Sequence, residues 1–282
     1  MGGDKNVRTT RHSVKVKMRE ERTSAIVLRS RAHGESDKIV TFLTRDWGKV
    51  TGIAKGAKRS RHRFVNVLEA FTQVQLRFRP GRADDLAFIF GCDLIRSFRS
   101  PSRDLQRFAL ASYVVELIDV MVASRESGQE TYMLLLHSLT VLEEQAELSP
   151  LFLPAFELLL LTYVGYEPHL TGCQQCRLSL SGEETPLVFS PSLGGLLCPR
   201  CRERGGATLL LSAEALHLLR RPKAGGLEAF LGIPASPRVC RETRALVTGL
   251  LSRHLPRPLK SRTFLEQVGF LSDAHVDASG GE

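Results

Sequence analysis

Along residues 23–97 the apolar positions come in short runs separated by turn residues. Ser24–Ser30 (SAIVLRS) is short and β-branched, and Lys38–Thr44 (KIVTFLT) follows after a turn containing Gly34. Asp46-Trp47-Gly48 makes a second turn before Lys49–Ala54. In Leu68–Phe78 (LEAFTQVQLRF), Val74, Leu76 and Phe78 fall two apart, as one face of a strand requires. Pro80-Gly81 closes that run, and Leu86–Phe98 supplies a fifth. Five short strands predict a small barrel, either an OB-fold or an SH3-like barrel.

From Pro101 the period changes to that of helices. Ser102 is a candidate cap with Asp104 in the first turn, and Leu110, Tyr113, Val114, Leu117, Ile118 and Met121 follow at helical spacing. A second helix carries Tyr132, Leu135, Leu136, Leu139 and Leu142. Ser149-Pro150 opens a third running to Val164, whose start Pro154 leaves open. Two more are expected, one from near Ser212 and one carrying Val239, Thr243, Leu246, Val247, Leu250 and Leu251. The predicted architecture is α+β and multidomain. It has a flexible basic tail over 1–20, a barrel over 21–100, a mainly helical domain over 101–270 interrupted at 168–208, and a flexible end over 271–282. Met18 offers an alternative start.

Charge sharpens this division. Residues 1–100 hold 22 Lys/Arg and 10 Asp/Glu, net +12; the remainder hold 17 and 20, net −3, giving the overall +9. A basic first third predicts contact with a polyanion, and DNA, RNA and an anionic membrane all satisfy that condition. No basic amphipathic helix with bulky apolar residues favours the membrane. The stretch from Leu151 to Tyr166 is shorter than the roughly 20 residues a span needs. With no apolar signal segment near the start, a cytoplasmic location is expected.

The sharpest local motif is Cys173-x-x-Cys176 followed, after 21 residues, by Cys198-x-x-Cys201. Two CxxC turns can close a tetrahedron of thiolates about Zn²⁺ at roughly 2.3 Å per bond. Four protein ligands leave no open position, so one structural rather than catalytic zinc per chain is expected. A thioredoxin-like reading requires one CxxC in a βαβ setting, which is missing. Arg177, Arg200, Arg202 and Arg204 flank the motif and would balance the formal −2 charge of the centre, phosphate contact being the other use open to them. Cys92 and Cys240 have no partners in sequence and are expected in the core.

Residues 55–63 read KGAKRSRHR, placing Lys55, Lys58, Arg59, Arg61 and Arg63 beside His62. The run follows a strand and reads as a loop on the barrel rim, where OB-folds grip single strands. A solvated loop is the plain alternative. With Lys38, Arg45 and Lys49, these cations form the expected phosphate-binding set. Trp47, in a turn, and Phe64, beside the loop, are the candidates for base stacking. Catalytic motifs are missing: GIAKGAK lacks the Walker register, and neither HExxH nor GxSxG occurs. His33, Glu35 and Asp37 are read as turn residues. No enzyme activity is expected.

The segment AIVLRSRAHGESDKIVTFLTRDWGKVTGIAKGAKR, Ala25–Arg59, resembles the opening of the RecO family of bacterial recombination mediators. The resemblance rests on Gly34, Glu35, Asp37 and Ile39, then Thr44, Gly48 and the Lys55–Arg59 loop. The order of strands, helices and the four-cysteine insertion matches from about residue 20 to 270. It implies an N-terminal OB-fold, a helical domain and a zinc-finger element. It also implies binding of single- and double-stranded DNA, annealing of complementary strands, and engagement of RecR. The family acts on strands coated by single-strand-binding protein (SSB), helps RecA load, and is linked functionally to RecF, which implies association with the nucleoid. Some members lack the cysteines, which implies a structural metal. The SSB tail is expected on the helical domain, with Arg103, Arg107 and Arg125 as candidate contacts. The tail before Met18 departs from the family pattern. The alternative reading is a non-enzymatic RNA-binding or ribosome-associated protein, since OB-folds and zinc ribbons bind RNA as well.

Overall fold

The structure, a computed structural model, describes residues 19–81, 85–99, 104–123, 128–180, 187–221 and 225–268. Of the tail expected over 1–20 only residues 19 and 20 are among them, and the end expected over 271–282 lies wholly outside them. Five strands form a closed barrel: β1 (Glu21–His33), β2 (Asp37–Thr44), β3 (Gly48–Ala54), β4 (Thr72–Arg79) and β5 (Ala87–Ser97). Their order is β1-β2-β3-β5-β4, closing through an antiparallel β1–β4 pair, with β3 and β5 parallel. This is OB-fold connectivity, and it decides between the two barrels considered above. A bulge between Val27 and Arg29 bends the long β1 so that it pairs with both β2 and β4. Ala25, Val27, Val40, Phe42, Val50, Val74, Leu76, Phe78, Ala87 and Ile89 fill the interior at alternate positions.

The fourth strand starts later than expected. Phe71 adopts a left-handed backbone (φ 63°), which stops the ladder, and its carbonyl accepts from Phe98 N–H at 3.0 Å. The residues before it do not extend the strand. Phe64, Val67 and Leu68 instead turn inward and plug one open end of the barrel core.

Among the described residues seven helices follow: α1 (Leu105–Met121), α2 (Gln129–Glu144), α3 (Phe152–Tyr163), α4 (Ala213–Leu219), α5 (Glu228–Leu231), α6 (Pro237–His254) and α7 (Lys260–Gln267). Asp104, not Ser102, caps α1 by accepting from Arg107 N–H at 2.8 Å; Ser102 lies outside the described residues. Pro154 sits in the first turn of α3, where its missing N–H is not needed. The apolar run of α3 is explained by burial of its residues from Phe152 to Leu161 in the helical core. Helix α7 (KSRTFLEQ) was not expected: it carries only two apolar residues, Phe264 and Leu265, and buries only Ser261 and Leu265, too few to establish a helical period in sequence. No helix among the described residues is long and apolar enough to cross a membrane.

The barrel and the helices share a core. Ile26, Leu28, Leu43, Phe71 and Phe98 pack into the helical cluster. The Tyr132 hydroxyl from α2 bonds Ser24 at 2.7 Å and accepts from Gln73 at 3.0 Å. This leaves the barrel end that carries the β1–β2 turn as its exposed pole.

Glu157 is the charged residue buried in α3 and accepts from the Tyr113 hydroxyl. Burial pushes its carboxyl up to about 7, against the Tyr113 bond and the nearby Arg262 and Arg244. The folded chain therefore holds this proton where the unfolded chain has lost it. Stability from this group falls as pH rises from about 4.5 to about 7. Relative to wild type, Glu157→Gln should gain on the order of 3 kcal/mol between pH 4.5 and 7.5. Urea melts of both proteins at the two pH values measure this, and parallel pH profiles would contradict it.

Candidate nucleic-acid interface and four-thiolate centre

The exposed pole is organised by Asp37. Its carboxylate accepts from Gly56 N–H at 2.8 Å and from Ser36 Oγ at 2.9 Å. These bonds, with smaller help from Lys55 and His33, hold its carboxyl below the ordinary value. Asp37 thus ties the β1–β2 turn to the start of the basic loop, in the turn role read from the sequence. Lys58 N–H donates to Ser36 O at 2.9 Å, and Lys58 Nζ to Gly34 O at 2.7 Å. A short 3-10 turn, Ala57–Arg59, carries Ala57 into the barrel core and leaves Lys58 and Arg59 outside.

Lys55, Lys58, Arg59, Arg61 and Arg63 are all exposed, and among the described residues none of them pairs with a carboxylate. Arg63 donates to Lys55 O at 3.1 Å, which folds the loop back on itself and concentrates the charge. Such a rim attracts a phosphate chain without reading its sequence.

The other expected cations divide. Lys38 is near this pole, paired with Glu69 at 2.9 Å. Arg45 and Trp47 lie in the β2–β3 turn at the opposite end, about 23 Å away along β2 at ~3.3 Å per residue. Trp47 is 39% exposed and sits edge-on to Phe78 at 5.8 Å. Two expectations are corrected. Phe64 is 4% exposed within the barrel core and cannot stack on a base; Arg63 lies over its ring at 5.2 Å. Lys49 is 13% exposed, donates to the Asp119 carbonyl at 2.5 Å and lies 3.8 Å from its carboxylate. Desolvation there lowers its ammonium pKa, and the residue pins barrel to helix rather than facing phosphate. Arg29 completes that junction with Asp119 at 2.8 Å.

Sequence reading overlooked the outer face of β4 and β5. Arg77 and Arg79 alternate with the inward Leu76 and Phe78, while Phe88 and Phe90 flank the inward Ile89. The alternation in TQVQLRFR and AFIFG was the available signal.

The cysteines meet at one end of a second sheet, β6 (His169–Cys173), β7 (Leu187–Ser190), β8 (Gly195–Leu197) and β9 (Leu209–Leu211), ordered β6-β8-β7-β9. Because β6 and β8 run parallel, the turns that follow them lie side by side. Gln174 N–H bonds Leu196 O at 2.7 Å and stitches the two together. Each CxxC closes on its first cysteine: Arg177 N–H donates to Cys173 O at 2.9 Å, and Cys201 N–H to Cys198 O at 2.9 Å. Gly172 permits this approach, since a Cβ there would lie 2.9 Å from Leu178 O.

The four Sγ atoms of Cys173, Cys176, Cys198 and Cys201 lie within 4.8 Å of one another, with Cys176 and Cys198 3.6 Å apart. A tetrahedron with ~2.3 Å metal–sulfur bonds has edges of about 3.8 Å, so the set fits a metal ion. Cys173, Cys198 and Cys201 are buried and Cys176 is exposed. Burial opposes ionisation of Cys173, but the N–H groups of Cys176, Cys198 and Gln175 favour its thiolate; burial and the neighbouring thiols push Cys201 the other way, so four thiolates together require a cation among them. Arg177, Arg200 and Arg202 are exposed around the centre; the side chain of Arg204 lies outside the described residues. Cys92 and Cys240 are core residues, and burial pushes the Cys92 thiol up to about 12.

A closed OB-type barrel with a cationic pole, joined through a shared core to a helical domain bearing a four-thiolate centre, defines a multidomain OB-barrel protein of α+β class. Family models described as "Recombination protein O N terminal" and "Recombination protein O C terminal" match residues 18–98 and 102–263. The chain belongs to the RecO family. It is 36% identical over 257 residues to "DNA repair protein RecO" of Anaeromyxobacter dehalogenans, covering 91% of this chain and 100% of the relative. It is also similar to the proteins so named from Symbiobacterium thermophilum, 36% identical over 86% of this chain and 95% of the relative, and from a Thermoanaerobacter species, 30% identical over 89% and 99%.

Proposed function

We propose that the protein is a non-enzymatic DNA-binding mediator of recombinational repair. In this reading it holds single and double strands by their phosphates, anneals complements and, with RecR, helps RecA load on SSB-coated DNA, with a functional link to RecF. The observation that carries it is the cluster of five exposed cations at the exposed pole of the barrel, without carboxylate partners among the described residues. Family membership points the polyanion reading toward DNA. Neutralising phosphates on two strands at once lowers their mutual repulsion, which favours pairing without making or breaking a covalent bond. Zn²⁺ at the four thiolates fits as a brace, because the closed ligand set offers no position for a substrate. The protein would then act in the cytoplasm, at the nucleoid when DNA-bound.

For the SSB tail, acidic with an apolar end, the same reading puts the receptor at a cavity of the helical domain. This cavity of about 590 Å³ is lined by Leu153, Pro154 and Ala245 and by Arg241, Arg244 and Arg262, with the acidic Glu157 and Glu266 also on its wall and Arg262 paired with Glu266 at 3.3 Å. Arg244 Nη1 is buried there with no hydrogen-bond partner among the described residues. These arginines replace the earlier candidates. Arg107 instead donates to the carbonyls of Leu142, Gln145 and Ala146, satisfying the end of α2, and Arg103 and Arg125 lie outside the described residues.

The test is annealing of complementary strands coated with intact or tail-truncated SSB, with no nucleotide added. Annealing with intact SSB that drops when the tail is removed is expected. No annealing of either substrate overturns the mediator reading; equal annealing of both overturns the tail receptor.

A further inference from the structure

Two phenylalanines stand on the outside of the barrel, where an OB-fold would normally place polar residues on a solvated sheet face. Phe88 and Phe90 are half-buried and belong to neither hydrophobic core. Their position is built by the strand. The β4–β5 register shifts between Arg77 and Phe78, which pair with Gly91 and Ile89 respectively, so that Phe90 is the extra residue of a bulge. The bulge places Phe90 beside Phe88, edge to face, with centroids 5.0 Å apart and planes at 65°.

Cations surround this pair. The Arg79 guanidinium lies 5.6 Å from the Phe88 centroid. Arg77, which pairs with Glu20 at 3.7 Å and Asp93 at 4.0 Å, extends across Gly91, where a Cβ would come within 2.7 Å of its Nη2. Ile53 pairs with Phe88, and two residues beyond it begins the basic loop at Lys55. The far end of that loop is fastened to the same strand, Cys92 N–H donating to Arg63 O at 3.2 Å. Aromatic faces are thus set between β4 arginines and the loop cations, the combination that binds bases and backbone of an unpaired strand together. Trp47 has no comparable setting, being edge-packed on Phe78 at the other pole.

We propose that Phe88 and Phe90 form a stacking platform for unpaired nucleobases, alongside the phosphate contacts of the Lys55–Arg63 loop. The inference rests on the DNA-binding reading above and adds to it a preference for single strands. A duplex keeps its bases stacked on one another and cannot use the platform, whereas both forms use the cations.

The test compares full-length wild type with Phe88→Leu/Phe90→Leu, which keeps apolar bulk but removes the rings. Binding of a labelled oligothymidine and of a duplex of equal length is followed by anisotropy. The double variant should lose about tenfold or more in single-strand affinity, with duplex affinity changed less than twofold. Phe88→Tyr/Phe90→Tyr should retain single-strand binding. Equal losses for both DNAs, or no loss, overturn the platform while leaving the cationic reading intact; absence of any DNA binding by wild type overturns both. Independently of any variant, photocrosslinking of an iododeoxyuridine oligonucleotide to wild type should label Phe88 or Phe90. Labelling confined to Trp47 would contradict the proposal.

Discussion

Replacing Lys58, Arg59, Arg61 and Arg63 together with Ala should weaken single-strand binding on the order of a few hundredfold at 0.1 M salt. Each phosphate contact contributes ~0.7 to the slope of log affinity against log salt for single strands, and four contacts over one decade of salt give about 2.8 log units. The fold should tolerate the change. All four side chains are exposed; the variant loses the Arg63 bond to Lys55 O and the Lys58 Nζ bond to Gly34 O, but the buried anchors of the loop, Ala57, Phe64, Val67 and Leu68, are untouched. The Asp37 bond to Gly56 uses a backbone donor and survives as well. Duplex affinity should fall in parallel, because the loop contacts backbone and not bases. Anisotropy titrations with both DNAs measure the effect, and a loss below about threefold would remove the loop from the interface.

Removing the metal should have the largest effect on stability. Structural zinc sites contribute apparent free energies of about 10–16 kcal/mol in zinc-finger peptides. Here the site closes a sheet whose residues Leu187, Val188, Phe189, Leu196 and Leu197 belong to the same core as the helices. Cys198→Ser removes a ligand that is 1% exposed, and the remaining thiolates lose the closed tetrahedron. A drop of more than about 10 °C in Tm is expected, since 1 kcal/mol corresponds to roughly 2–4 °C for a chain of this size class. Metal analysis of wild type should find one zinc per chain. If the variant melts like wild type yet no longer anneals strands, the metal acts in the activity itself and the brace is wrong.

The barrel was legible because its strands obey a period of two and are separated by turns rich in Gly, Asp and Pro. Where the reading failed, a local pattern was overruled by something distant. Leu68–Phe71 carries apolar residues like a strand, but the barrel needed an end plug and a left-handed Phe71 ended the ladder. Phe64 has the look of a stacking ring because it follows Arg63, yet a ring adjacent in sequence to a cation is as easily core. Lys49 was indistinguishable from its neighbours until Asp119, seventy residues on, was brought against it. The cysteine cluster was legible in full, since metal geometry fixes the spacing of ligands in sequence. The arginines of the helical cavity were not, because Arg241, Arg244 and Arg262 meet Leu153 and Pro154 only after α3, α6 and α7 pack. Phe88 and Phe90 carried a signal that alternation alone held, but the bulge that sets their side-by-side placement left no mark in composition.

In the proposed function, one pole of the OB barrel grips nucleic acid through phosphate charge. Its most direct test is the salt dependence of single-strand affinity for wild type and for the Lys58, Arg59, Arg61 and Arg63 Ala variant. A steep wild-type slope that flattens by about 3 in the variant is predicted, ~0.7 for each lost contact. Identical slopes, or a wild-type protein that ignores oligonucleotides at low ionic strength, would contradict it.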